Sequence, residues 1–166
     1  TRNISINNLE KNIKVVPIPL TNKKNIFQEM NEGQFVEGGA LNSFGEKFDF
    51  EGKEFKPTMK YNLLGTTMNY FIENSILDIP DYVKIDVDGI EHLILQGGDK
   101  FLNNEKVKSL SIEINENFKE QYDKVLNLME KFNFKIVHKK NNDSLFSEGS
   151  RFINTYNYIF LKKNKI

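Results

Sequence analysis

The apolar positions change their period along the chain. Over the first residues, Ile6, Leu9 and Ile13 fall at helical spacing and predict a short helix. Lys14-Val15-Val16-Pro17-Ile18-Pro19-Leu20 then predicts a strand at 14–20. Pro17 and Pro19 each remove a ladder donor, which places that strand at an edge or a rim. Residues 21–65 keep no period. Glycines at 33, 38, 39, 45 and 52 punctuate short pieces such as Gln34-Phe35-Val36 and Lys47-Phe48-Asp49-Phe50. The stretch predicts irregular loops and small hairpins laid over a scaffold, an excursion of the kind that often carries function.

From residue 66 the pattern is regular. Thr66 or Thr67 can cap a helix carrying Met68, Phe71 and Ile72. Strand 82–87, helix 89–96, strand 109–114, helix 118–132, strand 134–139 and strand 155–162 follow. Within 118–132, Phe118, Tyr122, Val125, Leu126, Met129 and Phe132 make one apolar stripe. Alternating strands and helices predict an α/β fold with a mainly parallel sheet covered on both faces. The last two strands are joined by a loop at 140–154 without a helical pattern, so they should pair antiparallel.

Composition narrows the function classes. The 166 residues weigh 19.4 kDa, enough for one domain with a buried core. Lys+Arg and Asp+Glu are both 23, so no basic field favours nucleic acid or an anionic membrane. The absence of cysteine excludes disulfides, thiolate metal sites and cysteine nucleophiles. No apolar run reaches the roughly 18 residues of a membrane span. No charged-then-apolar leader opens the chain, and a cytoplasmic home is expected.

Candidate chemistry concentrates at Tyr82-Val83-Lys84-Ile85-Asp86-Val87-Asp88-Gly89-Ile90-Glu91-His92. Strand alternation puts Lys84, Asp86 and Asp88 on one face, so both carboxylates end the strand together. That C-terminal rim is where open α/β sheets bind ligands. Glu113 and Asn115 end the next strand in the same way. If the two strands are neighbours, Asp86, Asp88, Glu91 and Glu113 converge. Such acids suit a general base, an oxygen-ligated cation or a cationic group. The structural alternative pairs Lys84 with Asp86 and lets Asp88 and Glu91 cap the following helix. His92, near the rim, is a weaker proton acceptor candidate, and His138 reads as a strand-surface residue. Phe44, Phe48, Phe50, Phe55 and Tyr61 either line a substrate cleft or pack the core.

Lys84-Ile85-Asp86-Val87-Asp88-Gly89-Ile90-Glu91 resembles the FkbM-type family of S-adenosylmethionine-dependent methyltransferases. Gly65-Thr66-Thr67-Met68, Leu95-Gln96-Gly97-Gly98, Ile112-Glu113-Ile114-Asn115 and Tyr156-Asn157-Tyr158-Ile159-Phe160 extend the likeness, which runs from residue 7. Asp88 stands where the family commonly has Glu. The resemblance implies a Rossmann-like class I methyltransferase sheet with a reversed terminal strand. It also implies S-adenosylmethionine as cofactor and methyl transfer to a hydroxyl of a sugar, glycan or secondary metabolite. It places Asp86 beside the methionine end of the cofactor and Asp88 and Glu113 on the substrate side. The turn at Leu20 and Thr21 falls near the adenosine, and no metal is implied.

The family's glycine-rich cofactor turn has no counterpart here. Gly33 is the first glycine, and Gly38-Gly39 lacks a preceding strand and a following helix. The chain therefore reads as an N-terminally truncated, partial methyltransferase domain (1–166) with impaired cofactor binding. Asp86-Val87-Asp88 also fits a metal-dependent nucleotide-sugar glycosyltransferase, although a helix follows it directly. A non-catalytic relic or interaction module is the third reading.

Overall fold

A computed structural model describes residues 1–34, 36, 39–141 and 149–163. Phe35, Gly38 and residues 142–148 of the loop expected at 140–154 lie outside the described residues.

The second half of the chain builds a four-stranded sheet in the order β4-β5-β7-β6. These strands are β4 (Tyr82–Ile85), β5 (Ser109–Asn115), β6 (Phe134–Lys140) and β7 (Thr155–Lys162). β4 and β5 are parallel, with Lys84 opposite Ser111 and Ile85 opposite Ile112. β5 and β7 are antiparallel, as are β6 and β7, so the expected terminal hairpin forms. The sheet is thus mixed, not mainly parallel. The parallel β4–β5 connection carries two helices: α3 (Glu91–Gln96) and the shorter α4 (Asp99–Asn103), which the apolar pattern did not single out.

Burial along β5 alternates. Leu110, Ile112 and Ile114 are buried, while Ser109, Ser111 and Glu113 are only partly so. The apolar face meets α3 and α5 (Lys119–Lys131), whose Val125 and Met129 reach the same core as Leu95, Leu102 and Phe160. The opposite face stays open, with Tyr82 71% exposed and Lys84 half-exposed. Coverage of both faces was expected and one face is covered. The alternation along β5 is that of a sheet with a core side and a wet side. Among the described residues, no helix is long and apolar enough to cross a membrane.

The first half differs more from expectation. α1 (Arg2–Ile6) is short and buries nothing; Asn8, at φ 54°, turns the chain just after it. Residues 14–20 form no strand. Their one ladder contact is the parallel bridge of Leu20 with Thr66, where Thr21 N–H donates to Thr66 O at 2.8 Å. The prolines explain this, since a segment lacking alternate donors cannot sustain a ladder. The region read as loops contains β1 (Ile26–Glu32) and β3 (Met59–Gly65), paired antiparallel along their whole length. β2 (Ser43–Phe44) joins the other edge of β1. A small hairpin does form at 47–55, where Phe48 bridges Glu54.

α2 (Met68–Glu73) starts as predicted: Thr67 is its N-cap, and Tyr70 N–H donates to the Thr67 hydroxyl at 3.1 Å. Replacing Thr67 by Ala should lower unfolding stability by about 1 kcal/mol, read from the urea midpoint. α2 and α3 close tightly on the turn at Thr21. A Cβ on Gly97 would overlap the Thr21 carbonyl oxygen, so only glycine fits there.

Candidate active site

β4 ends at Ile85, and the chain then runs irregularly through Asp86, Val87 and Asp88 to Gly89. Gly89 has φ +105°, and a Cβ there would lie 3.1 Å from the Asp49 carbonyl oxygen. The left-handed turn and the close approach of residues 49–50 both call for glycine. This turn sends Glu91 inward and leaves the acids at the C-terminal end of the parallel strand pair.

The four acids gather around this turn but divide between two cavities. A cavity of about 410 Å³ is walled by Ile18, Pro19, Leu20, Met30, Phe44 and Ile90, with Asp86 and Asp88 as its carboxylates. A second cavity, about 30 Å³, is lined by Asp88, Glu91, Glu113, Asn115, Gln121 and Thr155 under Phe50 and Phe152. Asp88 belongs to both. Leu20 lines the first cavity. Thr21 does not; it is buried in backbone bonds to Thr66. A larger concavity, about 770 Å³, is a lysine-lined groove that includes Lys131 and Lys135 and touches none of these acids. Size alone would favour it, but the carboxylates and the strand ends lie elsewhere.

The acids differ in environment. Lys84 Nζ lies 2.6 Å from Asp86 Oδ2 and 3.3 Å from Asn157 Oδ1, so the expected pair exists, half-exposed. Burial raises the Asp88 carboxyl above its usual range; backbone N–H groups of Asn42 and Leu41 oppose this, and the Asp86 charge adds to it. The Asn42 bond measures 3.1 Å. Asp88 therefore ties the turn to residue 42 and does not cap α3, whose N-cap position, Ile90, has no side-chain bond. Burial also raises Glu113, followed by the charge and hydrogen bond of neighbouring Asp86, with Lys84 pulling the other way.

Glu91 is 2% exposed and pushed up to about 8, chiefly by burial, although backbone groups of Glu91, Gly89 and Val87 draw it down. Its Oε2 accepts a hydrogen bond from Gln121 Nε2 on α5. His92 is not at the exposed rim. It is 4% exposed, lies edge-on to Phe118 and has no partner at Nδ1. Burial, then the Lys124 charge, lowers it to about 4, so it stays neutral at ordinary pH. His138 is exposed on β6, as expected.

The aromatic residues divide between the two expected uses. Phe44 walls the larger cavity and Phe50 the smaller, while Phe48 packs edge-on against Phe118 and Tyr61 donates to Glu32 at the surface. Sequence reasoning missed Asn42, Gln121 and Thr155. Gln121 had a signal: it stands four residues before Val125 and eight before Met129, on the buried row of α5. Among the described residues, no group of three or more Asp, Glu or His is placed to hold a metal ion.

The profile of one known family, described as "Methyltransferase FkbM domain", matches residues 47–136. That is more than half of the chain, and it includes the β4 turn, Asp86, Asp88, Glu91 and Glu113. The match is narrower than the likeness read from residue 7 onward, and the closing strand lies beyond it. No curated protein and no solved structure matches.

Proposed function

The chain belongs to the FkbM methyltransferase family, and from that premise we propose that it serves S-adenosylmethionine-dependent O-methylation of a hydroxyl on a sugar, glycan or secondary metabolite. The observation that carries this reading is the position of Asp88 as the shared wall of the two cavities. A methyl donor on one side and an acceptor hydroxyl on the other would meet across a single carboxylate. The strand order β4-β5-β7-β6 with its reversed β7 supports reading the sheet as part of a Rossmann-like class I methyltransferase domain.

The larger cavity fits the methionine end of the cofactor. Its apolar wall suits the methylene chain of the methionine moiety and its carboxylates suit the cationic ammonium and sulfonium, within the volume range of small-molecule sites. Asp86, with Leu20 on the facing wall, would hold that end. S-adenosylmethionine, when bound, supplies a methyl group on a sulfonium leaving group. Asp88 and Glu113 would orient the acceptor hydroxyl, and one of them would accept its single proton. Burial makes both better bases at neutral pH. Among the described residues, no glycine-rich strand-to-helix turn is present to cradle the rest of the cofactor.

Two measurements test the reading. Isothermal titration with S-adenosylmethionine should show binding weaker than micromolar, and micromolar binding would overturn the impaired-affinity part. At millimolar cofactor, labelled methyl should pass to a hydroxyl in a panel of sugars and glycans. Transfer only to nitrogen or carbon acceptors would overturn the O-methylation part. The glycosyltransferase reading of Asp86-Val87-Asp88 predicts instead thermal protection by Mn²⁺ with a nucleotide sugar.

A further inference from the structure

The small cavity behind Asp88 contains more polar groups than its visible bonds use. Gln121 is 1% exposed and Thr155 6%, and both line it. Gln121 donates to Glu91, yet Gln121 Oε1 has no partner, and neither has Thr155 Oγ1. Buried polar atoms are rarely left unsatisfied, because each costs the full desolvation of its group. The cavity volume is about 30 Å³, and a water needs roughly 10–15 Å³ of such space and two to four polar partners. Room and partners for one or two waters are therefore present together.

We propose that this cavity is a water site, and that Glu91, Gln121 and Thr155 are positioning residues that fix Asp88 and Glu113 through the water it holds. Each unpartnered atom gains a bond this way: water donates to Gln121 Oε1 and exchanges bonds with the Thr155 hydroxyl. Its remaining hydrogens and lone pairs meet the carboxyls of Glu91, Asp88 and Glu113. Glu91, pushed up to about 8, carries a proton at neutral pH and can donate it. The charged groups facing it are Asp88 and Glu113, while its neighbours Gln121 and His92 are neutral. The chain of bonds thus ends as a donated hydrogen on Asp88 or Glu113. Donated hydrogens favour the ionised form of a carboxyl, and so the form that accepts a proton from a hydroxyl.

This inference rests on the assignment of Asp88 and Glu113 to the acceptor side, but its test needs neither cofactor nor acceptor. The carboxyl carbons of Asp88 and Glu113 are titrated by NMR in the full chain. Thr155→Val keeps the side-chain shape and removes the hydroxyl. It should raise the midpoint of Asp88 or Glu113 by about half a pH unit or more. Glu91→Leu should do the same. Glu91→Gln, whose amide still donates, should restore the midpoints to within about 0.2 unit of the unmodified chain. A long-lived water cross-relaxing with the Thr155 and Gln121 side chains should appear in the unmodified chain and vanish in Thr155→Val. Unchanged midpoints in Thr155→Val, in a chain whose amide spectrum is otherwise native, would overturn the proposal. If that variant does not fold, Gln121→Met decides by the same criterion.

Discussion

Glu91→Gln should stabilise the protein at pH 8 by roughly 4–5 kcal/mol and leave it almost unchanged below pH 4.5. The sign follows from where the proton resides. In the unfolded chain the Glu91 carboxyl titrates near its ordinary value, and in the folded chain burial pushes it up to about 8. Between those limits the folded state holds a proton that the unfolded state has released. Raising the pH therefore favours unfolding, by about 1.4 kcal/mol per unit across that window. Gln has no proton to lose, and its carbonyl oxygen still accepts the bond from Gln121. Asp88 and Glu113, also raised by burial, tilt the unmodified chain in the same direction. His92 acts oppositely: lowered to about 4, it costs stability as pH falls below its unfolded value. Comparing urea midpoints of variant and unmodified chain at each pH cancels His92 and isolates Glu91. Parallel curves from pH 4.5 to 8 would show that Glu91 ionises as freely in the fold as outside it.

The second large effect falls on turnover. At millimolar cofactor, Asp88→Asn and Glu113→Gln should each lower methyl transfer by about 10²–10⁴-fold, the range for losing a positioned proton acceptor. The two variants should separate in their secondary behaviour. Glu113 lines only the smaller cavity, so Glu113→Gln should lower kcat and leave the cofactor KM unchanged. Asp88 lines both, so Asp88→Asn should alter kcat and cofactor KM together. Asp86, which lines only the larger cavity, should act mainly on cofactor KM. Rates within threefold of the unmodified chain for both Asp88→Asn and Glu113→Gln would remove these acids from the chemistry.

The second half of the fold was legible because its periods are strong. The stripe from Tyr122 to Met129 and the alternation of Leu110, Ile112 and Ile114 admit one helix and one strand. The β1–β3 ladder was not legible, because its strands do not alternate cleanly between apolar and polar. Asn31 takes an inward position in β1, where its amide donates to Glu46 O at 3.1 Å, while Phe27 and Leu64 sit outward and exposed. Residues 14–20 mislead in the other direction: Val15 and Val16 have strand character but no partner strand. The parallel neighbours were legible and bring Glu113 beside the end of β4, but β4 stops at Ile85, so the irregular turn through Gly89, and not strand alternation, aims Asp88 and Glu91. The wall formed by Asn42 and Phe44 comes from a segment without a period and could only be seen once folded.

The roof over the acids has a consequence for assembly. Phe50 and Phe152 stack at 5.0 Å, and Arg151 lies over Phe50 while its guanidinium bonds Asp49 and Glu51 at 2.8 Å. These contacts join segments about a hundred residues apart, whereas β4, α3 and β5 are near neighbours along the chain. Closing so long a loop is entropically expensive until the sheet between its ends has formed. The core can therefore form before the acids are covered. Folding and readiness for chemistry are in this sense separate events, and the ion pairs of Arg151 make the second one sensitive to salt.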